Sequence, residues 1–309
     1  MFEKIVLVSR KTRLQQLVER FNSRGQARFY IEHAGGDFAD YEREDDRYRR
    51  SLDETRSGLD SLDLGLKVHA IERAIVPTFL FAPTDLVVAV GQDGLVANVA
   101  KYVGAQPIIP INPDPDRFDG VLLPFQPRMA HFAVARVLDA KAKIRQITLA
   151  EATLADGQRL VGFNDLFIGA RSHVSASYAI RTPNAEELQS SSGILVSTGA
   201  GSTGWLSSVF NMAAGIAAFT GGTVGPTPRI AWEDPRLVYV VREPYASKAS
   251  QAKIVAGTIA PNTTLTIESR MATGGVIFSD GVERDALDFN AGAFATIGAA
   301  AHRTQLVVG

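Results

Sequence analysis

In the first part of the chain, short apolar runs alternate with stretches whose apolar positions recur every three or four residues. Residues 5–8 form a continuous apolar run of the kind buried on both faces of a parallel sheet. Residues 13–21 carry Leu14, Leu17, Val18 and Phe21 at helical spacing. Residues 38–64 are strongly charged, with aromatics at Phe38, Tyr41 and Tyr48. They predict an exposed helix whose charges form a solvated face or cover a partner subunit. Residues 86–90 are a second buried-type strand, followed by a helix over about 95–103 and a third strand at 107–111. Strand, helix, strand at this spacing predicts a parallel, right-handedly wound sheet.

From about residue 143 the period changes to two. Residues 144–152, 160–170, 174–181, 237–241, 253–259 and 263–269 all read as strands. The exception is 205–219, small and apolar, which fits a helix packed closely on a sheet. Residues 221–228, rich in glycine and proline, are a loop. There is no internal repeat and no low-complexity tract. The pattern predicts two domains, α/β over 1–142 and mostly β over 143–309.

Composition narrows the function classes. The 309 residues are 46% hydrophobic and 21% charged, enough apolar surface for two cores. A formal charge of -1 argues against nucleic acid or an anionic membrane as partner. With no cysteine, disulfides, thiolate zinc sites and cysteine nucleophiles are excluded together. The histidines (33, 69, 131, 173 and 302) show no metal spacing, and no apolar run approaches the roughly 20 residues of a membrane helix. The start, from Met1 into the first apolar strand, has no signal-peptide layout. The expectation is a soluble, cytoplasmic protein.

Four polar turns stand out against this apolar frame. Residues 199–204, Gly-Ala-Gly-Ser-Thr-Gly, match the dinucleotide pattern G-x-G-x-x-G. A true fingerprint needs an acidic residue about 20 positions on, at the end of the next strand. None stands near 219–223, and the strand at 237–241 is followed by Arg242. The dehydrogenase reading fails on context. What remains is a loop whose backbone N–H groups and Ser202 and Thr203 hydroxyls can contact a polar ligand, or a tight turn that packs a helix on a sheet.

The second turn is Gly91-Gln92-Asp93-Gly94, where a buried strand stops and a helix begins. Ligands of open α/β sheets bind beyond the carboxyl ends of strands, and a helix N-terminus favours phosphate oxygens. Asp93 would repel a phosphate there, unless it accepts a proton from an attacking hydroxyl or holds Mg²⁺ between phosphates. The alternative is an N-cap, for which Asp is favoured structurally. The third turn follows 107–111, where Asn112 can reach a neighbouring loop or simply start a turn. The fourth holds Asn164 and Asp165 inside an apolar stretch, where burial without partners is costly. A bulge explains them structurally, a bound ribose or base functionally.

In order, these segments resemble the NAD kinase family. Gly91-Gln92-Asp93-Gly94 is similar to its GGDG turn and Asn164-Asp165 to its Asn-Glu pair. The run from Val196 through Ser197, Thr198, Gly199, Ala200, Gly201, Ser202, Thr203 and Gly204 to Trp205 is similar to its VSTPTGSTAY loop. The stretches INPDPDRFDGVLLPF, NDLFIGARSHVSASYAI, SSSGILVSTGAGSTGW and VREPYASK resemble the mitochondrial-type branch. The similarity runs from about Pro83 onward and is faint before it.

The resemblance implies a Rossmann-like N-terminal domain followed by a β-sandwich-like C-terminal one, agreeing with the periodicity. It implies an ATP-dependent kinase that phosphorylates the adenosine-ribose 2′-hydroxyl of NAD to give NADP, with Mg²⁺, as a homodimer or higher homo-oligomer. Asp93 would activate the hydroxyl and Gly91 and Gly94 would line phosphates. Asn112, Asn164 and Asp165 would serve NAD or phosphate, as would Thr198, Gly201, Ser202, Thr203, Gly204 and Trp205. No metal ligand is assigned among the side chains. Four positions depart from the family pattern: Gln92 for a glycine, Leu95 for Thr, Asp165 for Glu, and Ser192 where many members carry Asp. The first two can change the donor or weaken the activity and leave open a non-catalytic NAD(H)/ATP sensor; relatives with a similar Gly-Asp-Gly turn leave open a phosphotransferase acting on a lipid or sugar.

Overall fold

The buried apolar runs of the first half pair side by side as parallel strands. A computed structural model describes residues 2–62 and 65–309. Met1 and the last two positions of the predicted 38–64 helix, Asp63 and Leu64, lie outside the described residues. The chain divides into two compact units, Met1–Arg145 with Thr304–Gly309, and Gln146–Arg303.

In chain order the first unit holds β1 (Lys4–Ser9), α1 (Arg13–Phe21), α2 (Arg24–His33), α3 (Phe38–Asp60), β2 (Lys67–Glu72), β3 (Asp85–Val90), α4 (Asp93–Ala100), β4 (Pro107–Ile111) and α5 (Ala130–Leu138). β1 pairs in parallel with both β2 and β3, and β3 pairs in parallel with β4. The order β2-β1-β3-β4 reverses direction between β1 and β3, the position where open α/β sheets present ligand crevices beyond their carboxyl ends. Every residue of β3 and β4 is buried, as the unbroken apolar runs require of strands covered on both faces. On one face, Ile5, Leu7, Leu86, Val88, Val90, Ile109 and Ile111 pack against Ala133, Val134 and Val137 of α5 and Tyr48 and Leu59 of α3.

The charged 38–64 segment is a helix, as predicted, but not a free-standing solvated one. Phe38, Asp45, Tyr48, Ser51, Thr55 and Leu59 recur at spacings of three, four or seven residues and bury one face. Polar members of that face are why it read as exposed. Thr12 donates to Asp45 Oδ1 at 2.5 Å, and Glu44 receives Arg13 at 2.5 Å and Arg117 at 3.4 Å. The Tyr48 hydroxyl donates to the Val90 carbonyl and accepts from the Arg10 N–H, both at 2.9 Å, bridging the ends of β3 and β1.

The second half supplies β5 (Lys143–Leu154), β6 (Arg159–Gly162), β7 (Asp165–Ala170), β8 (Ala176–Thr182), β9 (Ala185–Ser191), β10 (Ile194–Ser197), α6 (Trp205–Phe219), β11 (Leu237–Val241), β12 (Ala256–Ile259), β13 (Leu265–Ser269), β14 (Gly275–Ser279), β15 (Val282–Asp288) and β16 (Phe294–Val308). The predicted 160–170 strand is two strands, β6 and β7, interrupted at Phe163 and Asn164. One antiparallel sheet runs β12-β11-β10-β7-β14-β15. Facing it, β8 pairs with β9 and β13, and β13 with β16. Alternate residues from both, among them Ile168, Val196, Tyr239, Tyr178, Ile267 and Ile297, share one core, so the unit is a β-sandwich. On the outer face, Leu195, Val238 and Val240 are covered by Leu206, Val209 and Phe210 of α6. The end of β16, at Gln305 and Leu306, pairs in parallel with Pro107 and Ile108 of β4 in the first unit's sheet. No helix among the described residues is long and apolar enough to cross a membrane.

Candidate functional site

The turn after β3 is shaped by what its glycines permit. Gly91 donates to the Ile111 carbonyl at 3.1 Å, tying the end of β3 to the end of β4. A Cβ on Gly91 would stand 2.6 Å from the Leu95 side chain. Leu95, 2% exposed, thus fills the volume that the glycine leaves; packing accounts for an apolar residue there. Gln92 occupies the N-cap of α4 and makes no side-chain cap hydrogen bond. Asp93 is therefore the first residue of the helix rather than its cap. Its charge lies where the helix dipole favours an anion. Its Oδ1 accepts the Leu122 N–H at 2.8 Å; Oδ2 has no hydrogen-bond partner among the described residues.

Leu122 belongs to the loop that follows β4, and Asn112 organises that loop. The Asn112 N–H donates to the Phe125 carbonyl at 2.7 Å, closing the loop's neck. Its side-chain amide donates to the Phe118 carbonyl at 3.0 Å, and its Oδ1 accepts the Asp114 N–H at 3.1 Å. Gly120 has φ +61, and a Cβ there would meet the Asn112 amide at 2.6 Å. Asn112, 4% exposed, is thus spent within its own loop.

In the second unit, the break between β6 and β7 is held from two sides. Asp280 sits in the two-residue turn between β14 and β15 with φ +53, followed by Gly281 at φ +68, the backbone that an Asp-Gly hairpin turn adopts. Its carboxylate accepts the N–H of Phe163 at 2.9 Å, of Asn164 at 2.6 Å and of Asp165 at 3.3 Å. From the other side, Thr198 donates its hydroxyl to the Phe163 carbonyl at 2.7 Å and its N–H to the Asn164 carbonyl at 2.9 Å. The backbone of the Asn-Asp pair is fully engaged, while neither side chain has a hydrogen-bond partner among the described residues. The Asp165 carboxyl is 7% exposed. Burial, and then the neighbouring Asp280 charge, push it up to about 7.

The 199–204 loop is a turn of 3₁₀ helix leading into α6. Its glycines are required by close backbone contact: a Cβ on Gly199 would lie 2.0 Å from the Ala231 carbonyl oxygen, and one on Gly201 2.0 Å from that of Asn164. The Ser202 hydroxyl donates to the Gly199 carbonyl at 2.7 Å within the turn. Thr203 and Gly204 are exposed. Trp205 stacks on Phe167, ring centroids 5.7 Å apart, with Arg242 over its indole.

Thus the structure brings Asn164, Asp165, Thr198 and Gly201 into direct contact, and Asp93 into contact with the loop that Asn112 shapes. Sequence reasoning missed Asp280. Its signal was available, since Asp-Gly between alternating apolar residues is a strong short-range hairpin mark. Leu122 was also missed, because a backbone donor leaves no residue-type signature. Among the described residues no group of three or more His, Asp or Glu side chains is placed to hold a metal ion.

No protein-family model matches the chain, and no curated protein matches it by sequence. Solved structures do. It is similar to yeast NADH kinase, solved complexed with NADH, with a TM-score of 0.61 at 15% identity, over 100% of this chain and 84% of that one. It is similar to an NAD kinase from Archaeoglobus fulgidus, solved in complex with ATP, with a TM-score of 0.60 at 14% identity, over 98% and 93%. At these identities the likeness is one of fold: this chain's α/β unit and antiparallel sandwich match the fold of these NAD and NADH kinases.

Proposed function

We propose that the chain is an ATP-dependent NAD kinase that phosphorylates the adenosine-ribose 2′-hydroxyl of NAD to give NADP. The observation that carries this reading is the Asp93 carboxylate. It stands in a glycine-flanked turn at the carboxyl end of β3, one oxygen fixed by the Leu122 N–H and the other without a hydrogen-bond partner among the described residues. Such a group can take the hydroxyl proton as the 2′-oxygen attacks the γ-phosphorus and the bond to ADP breaks. The N-terminus of α4 offers backbone N–H groups to phosphate oxygens. Asn164 and Asp165, whose side chains have no hydrogen-bond partner among the described residues, would hold the dinucleotide; near neutral pH the Asp165 carboxyl is partly protonated and can donate as well as accept.

Mg²⁺ fits this donor set, because it usually keeps several waters and binds through one or two carboxylates plus substrate phosphates. Asp93 is the side chain that would contact it. The ion, when bound, neutralises charge on the transferring phosphoryl group.

The test is direct. Purified protein with MgATP and NAD should form NADP. Asp93→Asn retains an oxygen for the Leu122 N–H but loses the base, so kcat should fall by about 10²- to 10⁴-fold while the NAD dissociation constant changes little. Full activity in that variant would remove the assignment. Phosphorylation of a lipid or sugar in place of NAD, or NAD binding without turnover by the wild type, would replace the reading altogether.

A further inference from the structure

The charged helix α3 makes contacts whose purpose lies outside its own stability. Arg47 places one guanidinium nitrogen 2.7 and 2.8 Å from the two Asp114 oxygens. One turn on, Ser51 donates to the Pro113 carbonyl at 2.7 Å. Arg117 returns from the loop to Glu44 and Asp40 of α3, at 3.4 Å each. All these partners sit in the loop after β4 whose Leu122 N–H is bonded to Asp93. Two prolines, Pro113 and Pro115, and the Asn112 bonds stiffen the loop internally. Through these bonds α3 fixes the loop's start and middle to the rest of the unit. Asp114 is 8% exposed at its side chain while Arg47 is half exposed. The bond is therefore partly shielded, yet it can be cut from the arginine side without opening a core.

We infer that Arg47, acting through Asp114, is a positioning residue for Asp93: the ion pair clamps the 112–125 loop so that the Leu122 N–H holds one carboxylate oxygen and aims the other at the reacting hydroxyl. This rests on the reading of Asp93 given above. The chain of contacts runs Arg47, Asp114, Asn112, the loop backbone, Leu122 and Asp93, and each link is a hydrogen bond or a covalent bond. A clamp of this kind acts on rate rather than binding, since it orders a group that meets substrate only at the moment of proton transfer.

Two measurements on the full chain test it. The first needs no activity: amide hydrogen exchange at Leu122. Arg47→Ala should raise the Leu122 exchange rate by about 5- to 30-fold, the factor given by a loss of one to two kcal/mol, with amides of β3 and α4 unchanged. The second is kinetic: kcat for NADP formation should fall by a similar factor with KM for NAD within about twofold, and Arg47→Lys, which keeps the charge, should recover most of it. Unchanged Leu122 exchange in Arg47→Ala would overturn the clamp whatever the enzyme does. Faster exchange with unaltered kcat would show a structural brace without a positioning role. A wild type that makes no NADP, with Leu122 exchange still responding to Arg47→Ala, would instead refute the reading of Asp93 and leave the brace standing.

Discussion

Gly201 lies against the Asn164 carbonyl so closely that a Cβ on it would stand 2.0 Å from the oxygen. That carbonyl also accepts the Thr198 N–H at 2.9 Å, so it cannot withdraw without breaking a bond. The glycine is therefore part of what holds the Asn164-Asp165 break open. Gly201→Ala should lower stability by about 1–3 kcal/mol, as overpacking does, and weaken NAD binding alongside. Thermal melting and an NAD titration on the same sample would check it; a melting temperature equal to wild type would mean the loop yields freely.

Gly94 provides the opposite case. Nothing lies within 4 Å of a Cβ built there, and its φ is not in the left-handed region. In the first turn of α4, Gly94→Ala should raise stability by about 0.5–1 kcal/mol. If phosphates approach this turn, the added methyl group should at the same time raise KM for ATP. A more stable protein with unaltered ATP kinetics would place the phosphates elsewhere.

Asp165 makes stability depend on pH in a definite direction. In the unfolded chain its carboxyl ionises near the ordinary 3.8, whereas in the folded chain it holds its proton up to about 7. Between these values only the folded state keeps the proton. The contribution of this group is thus full below the lower value and is lost as pH rises through the higher, by at most about 1.4 kcal/mol per pH unit. Asp165→Asn, which cannot ionise, should melt increasingly above wild type from about pH 4 to about pH 7, the difference levelling off above that. A pH-independent difference between the two would show that the carboxyl is not desolvated in solution.

The sequence carried the parallel sheet and the sandwich because both write a period into the chain: the unbroken runs at Leu86–Val90 and in β4, and the alternation at Leu265, Ile267 and Ser269. It carried the turns at Gly91 and Gly199 because glycine and strand ends mark themselves. It did not carry the burial of α3. The buried stripe of that helix contains Asp45 and Thr55 as well as Phe38 and Tyr48, and a residue-type pattern cannot say which charges find partners 30 or 60 positions away. Asn112 was legible as a polar residue at a strand end, but not as one whose amide is consumed by Phe118 and Asp114. The holding of Asp93 by Leu122 was invisible in principle, since every residue except proline carries the same N–H.

The last strand has a consequence in time. Thr304 donates its hydroxyl to the Ala100 carbonyl, 204 positions earlier, and Leu306 is paired with Ile108. While the chain is being made, the edge of β4 therefore stays open until residues 304–308, about 200 positions on, have been added. The α/β unit needs Thr304–Gly309, which lie beyond the whole of the sandwich unit Gln146–Arg303 in sequence. Its closure follows rather than precedes that of the sandwich synthesised after it, and contacts of such separation form slowly. Until then the bare edge of β4 is a place where a strand can pair wrongly, and Gln305 and Leu306 cover that edge.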